Sequence, residues 1–454
     1  MLLASPWAPR LADVQGLPFE KLSTALAEDI ANGAIGAGDR LPAHRELAYR
    51  LRIGVGTATK AYQALERRGL VRSVRGRGMF VAGPSMKPFG VVDLGINAPP
   101  KALSDRLLAA TLATLAKRLD ASTFGTYAPP SGRPEHRAAM ARWLARSGLD
   151  VPPEQVLLTH GAQHALSIAF ATVCRPCNVI LTEAATYPGA IALARQGGWR
   201  MVGLDTDAEG ITPEALARAL RKHRRGAPPI LYVTPTLQNP TTATMSLRRR
   251  REIVRLCRDR GAVIVEDDVY SIFAPRDVPP LAALAPDRTL HVSGLSKALS
   301  PGLRMGSLVV PAAWVGRAND RLQASCTMAS LLDGAIMEQW LADGTAQSVA
   351  VSIRADAKRR VKLAMSFFPN LVSPTTPGFH VWLPMPVADA ESLVARAAAA
   401  GIALLPARAP LVTQNAAIGG VRISLGGPSI ETLSRVLSTL ADSFVAMNGT
   451  PTVV

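Results

Sequence analysis

One lysine and one arginine, seven residues apart, have the chemistry to hold an aldehyde that carries a phosphate. Lys297 follows the small-residue segment 293–296, and Arg304 lies in the segment 300–306. A lysine amine can form a Schiff base with an aldehyde, and a guanidinium can bind a phosphate through two parallel hydrogen bonds. The pair therefore predicts a site for pyridoxal 5′-phosphate (PLP), with Lys297 as the Schiff-base residue.

Other side chains in the chain could hold the pyridine ring of such a cofactor. Asp267 follows the apolar run 262–265, and a carboxylate there can pair with a pyridinium nitrogen and keep it protonated. Asn239 and Tyr270 can each donate a hydrogen bond to the ring hydroxyl, and Tyr187 offers an aromatic face for the ring. We therefore expect these four residues to surround the ring.

A second group suited to the phosphate lies earlier in the chain. The turn Gly161-Ala162-Gln163 follows the apolar run 156–158 and opens a helical pattern. Backbone N–H groups at the positive end of a helix bind phosphate readily. The sequence therefore predicts that this turn holds the phosphate.

The elements that must position these residues follow an alternating pattern from about Asp93 onward. Short apolar runs alternate with helical patterns, and the runs are at 156–158, 179–181, 230–233, 262–265 and 308–310. Runs of this kind are typical of buried strands in an α/β fold with a mainly parallel sheet, where ligands bind at the carboxyl ends of the strands. After Val361 the pattern changes to a smaller α+β segment, with strands expected at 378–383 and 421–424.

Residues 18–82 form a separate pattern with three helices and two short strands. Apolar residues recur at helical spacing from Phe19 to Ile30, Pro42 opens a second helix, and 57–68 form a third. Two short strands then flank the basic hairpin 75–78. This order predicts a winged helix-turn-helix, a fold that binds DNA.

The charge of the chain supports a polyanionic partner. It has 51 Lys and Arg against 34 Asp and Glu, a net charge of +17. Residues 40–77 contain ten basic and two acidic residues, so this segment alone carries 10 − 2 = +8. An equally dense run, Arg248–Arg251, is interpreted as the exposed start of an ordinary helix.

Residues from roughly 93 to 448 resemble the fold-type I, class I aminotransferases. The resemblance implies a set of ring and phosphate ligands, namely Gly161, Ala162, Gln163, Tyr187, Asn239, Asp267, Tyr270, Ser296, Lys297 and Arg304. It implies that Arg422 grips the α-carboxylate of an amino compound. It also implies a homodimer in which Tyr127, near Gly132, reaches the phosphate of the other subunit. One departure is Gly294, where family members often carry a serine that touches the phosphate.

The smaller pattern resembles the GntR family of bacterial regulators through the segments 41–48, 57–62, 69–71 and 76–81. The resemblance implies a recognition helix that begins near Thr57 and lies in the major groove of DNA. It implies a set of DNA contacts, namely Arg45, Thr57, Thr59, Lys60, Arg75 and Arg77. The chain has Gly54-Val55-Gly56 where many members carry Ser-Arg, so the sequence does not indicate the preferred operator.

The combined order is residues 1–82 for DNA binding, a linker at 83–100, and 101–454 for the aminotransferase-like body, with its small subdomain from about 362. This order resembles the MocR (PdxR-like) branch of transcription regulators. It implies a dimeric, DNA-binding regulator that senses an amino compound or PLP itself. Two alternatives stay open: a working aminotransferase with a DNA-binding appendage, and a general basic binder of nucleic acid.

Other features narrow the setting of the protein. Four cysteines in 454 residues do not make a disulfide framework. The sequence shows neither a cleavable leader nor a long uncharged apolar run. We expect a cytoplasmic protein with no membrane partner and no metal site.

Overall fold

The structure is a computed structural model of the chain. It describes residues 5, 7–13, 16–32, 34–36, 38–67, 70–74, 78–81, 91–119, 121–175, 178–223, 228–275, 277–368, 371, 376–413 and 416–448. The chain divides into two compact units, one up to Gly90 and one from Val91 onward. In these ranges, no helix combines the length and apolar character that crossing a lipid bilayer requires.

The smaller unit has the three helices and the two-stranded wing that the sequence predicts. Its elements are α1 (Pro18–Ala31), α2 (His44–Leu51), α3 (Val55–Arg67), β1 (Val71–Val74) and β2 (Gly78–Val81), and the two strands are antiparallel. The helices bury a shared apolar core that includes Leu22, Leu26, Leu47 and Leu65. The buried hydroxyl of Tyr62 donates to the carbonyl of Pro42, 2.7 Å away, and so ties α3 to the start of α2.

The third helix begins at Val55, two residues before the expected start at Thr57. The backbone amides of Thr57 and Ala58 both donate to the carbonyl of Gly54, so the first turn forms there. Two of the predicted DNA contacts, Arg75 and Arg77, lie outside the described residues.

The larger unit is built from a central sheet, flanking helices and a small additional layer. Its strands are β3 (Val92–Asp93), β4 (Val156–Thr159), β5 (Val179–Glu183), β6 (Arg200–Leu204), β7 (Thr206–Asp207), β8 (Gly210–Ile211), β9 (Ile230–Val233), β10 (Val263–Asp267), β11 (Thr289–Gly294), β12 (Gly306–Val309), β13 (His380–Pro386), β14 (Ile402–Ala403) and β15 (Ile418–Ser424). Its α-helices are α4 (Asp105–Leu115), α5 (Ala121–Phe124), α6 (Pro134–Ala145), α7 (Ala162–Val173), α8 (Pro188–Gln196), α9 (Pro213–Lys222), α10 (Leu247–Asp259), α11 (Leu281–Leu284), α12 (Val315–Cys326), α13 (Leu331–Ala342), α14 (Thr345–Phe367), α15 (Val387–Ala399) and α16 (Ile430–Asn448). Short 3₁₀ helices lie at Pro153–Gln155, Ser271–Phe273, Pro301–Leu303 and Ala312–Trp314.

The central sheet has the strand order β4-β12-β11-β10-β9-β5-β6. Neighbouring strands are parallel except at β12, which is antiparallel to both β11 and β4. The mainly parallel α/β sheet is therefore confirmed. Strands β6 and β11 were not predicted from the sequence, because neither is a continuous apolar run. In β11, His291 and Ser293 are polar and yet fully buried.

The arginine run 248–251 starts a helix, as predicted, but only part of it is exposed. Ser246 caps α10 by accepting from the backbone of Arg249, and the side chains of Arg249 and Arg250 are buried. The Arg250 guanidinium donates to the carbonyls of Pro235 and Met245, which lie on either side of Asn239 in the chain. This arginine therefore helps to shape the loop that carries a predicted site residue.

The small layer collects segments from both ends of the larger unit. Strand β13 pairs antiparallel with β15, and β3 pairs in parallel with β14. Leu94 is buried in the core of this layer, so residues 91–100, which were expected to be linker, are part of the larger unit. The expected subdomain boundary near 362 falls inside α14, because Ile353 of that helix packs in the main core and Ala364 in the small one.

Candidate functional site

Most of the predicted site residues converge on one cavity of about 420 Å³. It lies at the carboxyl edge of the central sheet, where β10 ends at Asp267 and β11 ends at Gly294. The predicted residues that line it are Ala162, Gln163, Tyr187, Asn239, Asp267, Tyr270, Ser296, Lys297, Arg304 and Arg422. Segments far apart in sequence are therefore brought together at the carboxyl ends of the strands, where ligands bind in sheets of this kind.

One end of the cavity is suited to an anion. Gly161 caps α7 with a φ of +78°, and a side chain there would place its Cβ 2.7 Å from Nη2 of Arg304. Nη1 of Arg304 donates to Oγ of Ser296 at 3.2 Å. A guanidinium therefore lies beside the N–H groups that begin a helix, and both attract phosphate oxygens.

The departure at Gly294 has a steric explanation in this chain. A Cβ on Gly294 would lie 3.2 Å from Cβ of Ala162 and 3.3 Å from its backbone nitrogen. A serine would therefore crowd the first residue of α7. The end of this helix therefore approaches β11 closely, and the groups at this end of the cavity that are suited to an anion are the turn, Ser296 and Arg304.

The middle of the cavity contains a buried carboxylate with an unused acceptor. Oδ2 of Asp267 accepts from the hydroxyl of Tyr232 at 2.9 Å, whereas Oδ1 has no hydrogen-bond partner among the described residues. Burial raises the pKa of Asp267 to about 6. A buried acceptor normally has a donor, and the N–H of a pyridinium ring is one that fits here.

The amine of Lys297 lies in the turn after β11. It donates to the backbone carbonyl of Asn97. Burial, together with the positive charge of Arg422, lowers the pKa of Lys297 to about 8. The neutral amine, which is the nucleophilic form, is therefore much more accessible than in an ordinary lysine.

Arg422 projects from β15 to the same cavity. Its Nη1 donates to Oδ1 of Asn239 at 2.8 Å, its Nη2 donates to the carbonyl of Gly95, and its buried Nε has no partner among the described residues. Because Oδ1 of Asn239 accepts from Arg422, the amide nitrogen of Asn239 remains available as a donor. The guanidinium, whose pKa burial lowers, is suited to a carboxylate.

Two predicted aromatic residues differ in their placement. Tyr187 is half-buried against the cavity, and burial followed by the charge of Asp267 raises its pKa. Tyr127 is 84% exposed and lies with Pro129 and Arg133 in a separate depression. A single chain thus leaves Tyr127 outside the cavity, and its contact with a second subunit stays a prediction.

The structure also brings in residues that sequence reasoning missed. Gly95, Ile96 and Asn97 line the cavity, together with Leu405. Asn97 donates to the hydroxyl of Tyr270 at 2.7 Å. These residues lie in a stretch with Gly and Pro that is typical of a linker, and only Asp93, whose side chain caps a turn there, could have indicated an ordered segment.

In the smaller unit, the predicted DNA contacts within the described residues are at the surface. Arg45 and Lys60 are exposed, and Thr57 and Thr59 are partly exposed. The hydroxyl of Thr59 donates to the carbonyl of Val55 at 3.0 Å, so it has only acceptor capacity left for DNA. Across the described parts of both units, no group of three His, Cys, Asp or Glu side chains could hold a metal ion.

Comparisons with known proteins match both units. Residues 90–440 match the family described as aminotransferase class I and II, and residues 19–81 match the gntR family of bacterial regulatory proteins. The pyridoxine biosynthesis regulator PdxR of Corynebacterium glutamicum is 29% identical over 327 residues, which cover 68% of this chain and 70% of PdxR. The vitamin B6 salvage pathway repressor PtsJ of Salmonella typhimurium is 27% identical over 386 residues, covering 82% and 86%.

A solved structure supports the fold of the larger unit. The α-aminoadipate aminotransferase LysN from Thermus thermophilus is similar with a TM-score of 0.71 and 25% identity, over 78% of this chain and 92% of LysN. Both resemblances predicted from the sequence are confirmed. The chain therefore belongs to the class I and II aminotransferase family and carries a GntR-type DNA-binding domain, which is the architecture of the MocR-type transcription regulators.

Proposed function

We propose that this regulator binds PLP at Lys297 and senses an amino compound in the same cavity, and that the ligand changes how its GntR domains bind operator DNA. The observation that carries the proposal is the convergence of four groups. They are the unpartnered oxygen of Asp267, the low-pKa amine of Lys297, the anion site beside Arg304 and the buried guanidinium of Arg422. Bound PLP would supply an aldehyde and an electron-withdrawing ring.

Each residue has a distinct role in this proposal. Asp267 accepts the N–H of the ring, and Arg304 binds the phosphate together with the helix turn. Asn239 and Tyr270 donate to the ring hydroxyl. Arg422 holds the carboxylate of the effector, so the favoured effector carries both an amine and a carboxylate.

Two hydrogen bonds at the cavity wall provide a way for a bound ligand to shift the protein from one conformation to another. Lys297 and Arg422 donate to the backbone carbonyls of Asn97 and Gly95. A ligand that occupies these two cations competes with the segment 95–97 for them. A ligand shifts an equilibrium only through unequal binding to its two states, and this competition is a source of such a difference.

The proposed assembly is a homodimer that presents two GntR domains to paired operator half-sites. The exposed side chain of Tyr127 is proposed to reach the phosphate of the other subunit. Since the partner is chromosomal DNA, the cytoplasm is the proposed compartment.

The proposal is tested with the purified full-length chain. Incubation with PLP followed by borohydride should add the reduced cofactor mass to the peptide that contains Lys297, and Lys297→Ala should lose it. Lys222→Ala, which changes an exposed lysine of α9, is the matched control and should keep it. Labelling that is absent from Lys297, or that persists in Lys297→Ala, would refute the proposed site.

Operator binding is tested on DNA fragments upstream of the chain's own gene. Affinity should change when a panel of amino acids is added to the PLP-loaded protein. It should not change in Arg422→Gln, which retains Lys297 but lacks the carboxylate-binding charge. An affinity that no member of the panel alters would contradict an amino acid as the signal.

A working aminotransferase is the second candidate, because Lys297, Asp267 and Arg422 share one cavity as transamination requires. The similarity to LysN, which is named as an aminotransferase, favours the same reading. Release of keto acid over many turnovers, from PLP-loaded protein and an amino acid panel, would establish this activity. A single turnover at most is expected from a pure sensor.

A further inference from the structure

We propose that Asn97 is a positioning residue of the cavity, whose side-chain amide orients the hydroxyl of Tyr270 so that its hydrogen faces the ligand. The inference rests on the proposed function, since the expected acceptor is the ring oxygen of PLP. Asn97 is 6% exposed and follows β3 in the segment that sequence reasoning took for a linker.

The orientation of the Asn97 amide follows from its contact with His380. Nε2 of His380 lies 3.3 Å from the carbonyl oxygen of Gln238, and a carbonyl can only accept. Burial, and then the charge of Arg422, lowers the pKa of His380 to about 3, so the ring is neutral and carries its hydrogen on Nε2. Nδ1 is therefore an acceptor. The atom of Asn97 at 3.1 Å from Nδ1 must be the amide nitrogen.

The remaining hydrogen of this amide determines the role of Tyr270. The nitrogen of Asn97 has two hydrogens, one for Nδ1 of His380 and one for the Tyr270 oxygen at 2.7 Å. The phenol oxygen therefore accepts from Asn97. Among the described residues, its own hydrogen has no protein acceptor. Because Tyr270 lines the cavity, this hydrogen is available to a ligand there.

The backbone holds Asn97 in place independently of its side chain. Oδ1 of Asp93 accepts from the amides of Gly95 at 2.7 Å and of Ile96 at 3.0 Å. The amide of Leu94 donates to the carbonyl of Ala403 at 2.8 Å, next to the β3–β14 pairing. A substitution at Asn97 should therefore remove the amide and leave the course of the chain intact.

The consequence appears at Lys297 once it is linked to PLP. A donor on the ring oxygen stabilises negative charge there, so the oxygen holds the proton of the linked Lys297 nitrogen less tightly. Without Asn97, the Tyr270 oxygen loses the donor that fixes its orientation, so its hydrogen no longer has to face the ligand and this stabilisation is weakened. The pKa of the linked nitrogen should then rise. The other charged groups that act on this nitrogen, Arg422, Arg304 and Asp267, are present in the wild type and in both variants alike.

The experiment is a pH titration of the visible absorbance of the PLP-loaded, full-length protein. Asn97→Ala and Tyr270→Phe should each raise the pKa of the linked nitrogen, by roughly one pH unit. The double variant should titrate like Tyr270→Phe alone, because Asn97 acts through Tyr270. Asn178→Ala removes another buried amide, which bonds Arg175 and Pro228, and should leave the titration unchanged.

Two outcomes would overturn the inference: an Asn97→Ala titration that matches the wild type, or shifts that add in the double variant. If Asn97→Ala does not fold, Asn97→Leu keeps the volume of the side chain without its hydrogens and should give the same shift. Wild-type protein that shows no PLP absorbance at all would instead refute the proposed cofactor. A normal wild-type spectrum with no shift in either Asn97 variant would refute only the positioning role.

Discussion

The capture of PLP by Lys297 should depend on pH with a midpoint near 8. Only the neutral amine attacks an aldehyde, so the capture rate follows the neutral fraction of the free protein. Burial and the charge of Arg422 lower the pKa of this lysine from its usual 10.5 to about 8. The rate should rise as the pH increases towards 8 and then level off above it.

The size of this effect follows from the two pKa values. At pH 7 an amine with a pKa of about 8 is neutral in about one molecule in eleven, whereas a pKa of 10.5 leaves about one in three thousand. The ratio is 10 to the power (10.5 − 8), or about 300. The folded protein should therefore present far more nucleophile at neutral pH than an exposed lysine does.

The assay is the initial rate of PLP capture by the cofactor-free protein, followed by visible absorbance in buffers from acid to alkaline pH. Two variants have opposite expected effects. Arg422→Gln removes a neighbouring positive charge and should move the midpoint upwards. Asp267→Asn removes the negative charge that raises the pKa of Lys297, and should move the midpoint downwards. The rate measured with Lys297→Ala is subtracted, because it reports the capture of PLP by other amines of the protein.

A wild-type midpoint at the value of an ordinary lysine would refute the reasoning from burial. Variants that move the midpoint in the same direction would refute the reasoning from charge. In either case Lys297 would lie in an environment different from the one described above.

Three further predictions concern the anion site and the DNA-binding unit. Arg304→Ala should weaken PLP binding about 10- to 100-fold in equilibrium titrations, because a bidentate phosphate ligand is lost. Gly161→Ala should lower the free energy of unfolding by about 1–3 kcal/mol in urea titrations. The reason is that it places a Cβ on a residue whose φ is positive, too close to the Arg304 side chain. Arg45→Ala should weaken operator binding and make the slope of log affinity against log salt concentration shallower by about one. Arg10→Ala should change neither quantity, because the Arg10 side chain is already paired with acidic residues of α1.

Each of these has a distinct contrary result. Unchanged PLP affinity in Arg304→Ala would remove this residue from the phosphate site. Wild-type stability in Gly161→Ala would show that the turn tolerates a side chain. Equal salt slopes for Arg45→Ala and the wild type would exclude a phosphate contact by Arg45.

The sequence indicated the polar side chains that line the cavity better than the backbone segments that enclose it. Lys297, Asp267 and Arg304 were found because rare functional groups follow recognisable strand ends, and parallel strands bring their carboxyl ends to one edge. β11 was missed because its inward side chains include buried polar groups, which interrupt an apolar pattern. His291 is acceptable there because Asp268 lies 3.2 Å away, a pairing that only the folded chain reveals.

The residues around Asn97 could not be predicted for a different reason. A stretch with Gly and Pro indicates a turn or a linker, and its role depends on what packs against it. Here the pairing of β3 with β14 joins positions more than 300 residues apart in the chain. Arg250 was interpreted incorrectly for the same reason, since its carbonyl partners come from a loop and not from its own helix.

The place at which the chain enters the larger unit has a consequence for the cavity. Val81 ends the wing, and Gly95, whose carbonyl accepts from Arg422, comes fourteen residues later. The stretch that begins at Val91, where the larger unit starts, thus also contributes a wall of the cavity. A ligand that took Arg422 away from the carbonyl of Gly95 would therefore act on the first segment of the larger unit, the one that follows the DNA-binding unit in the chain.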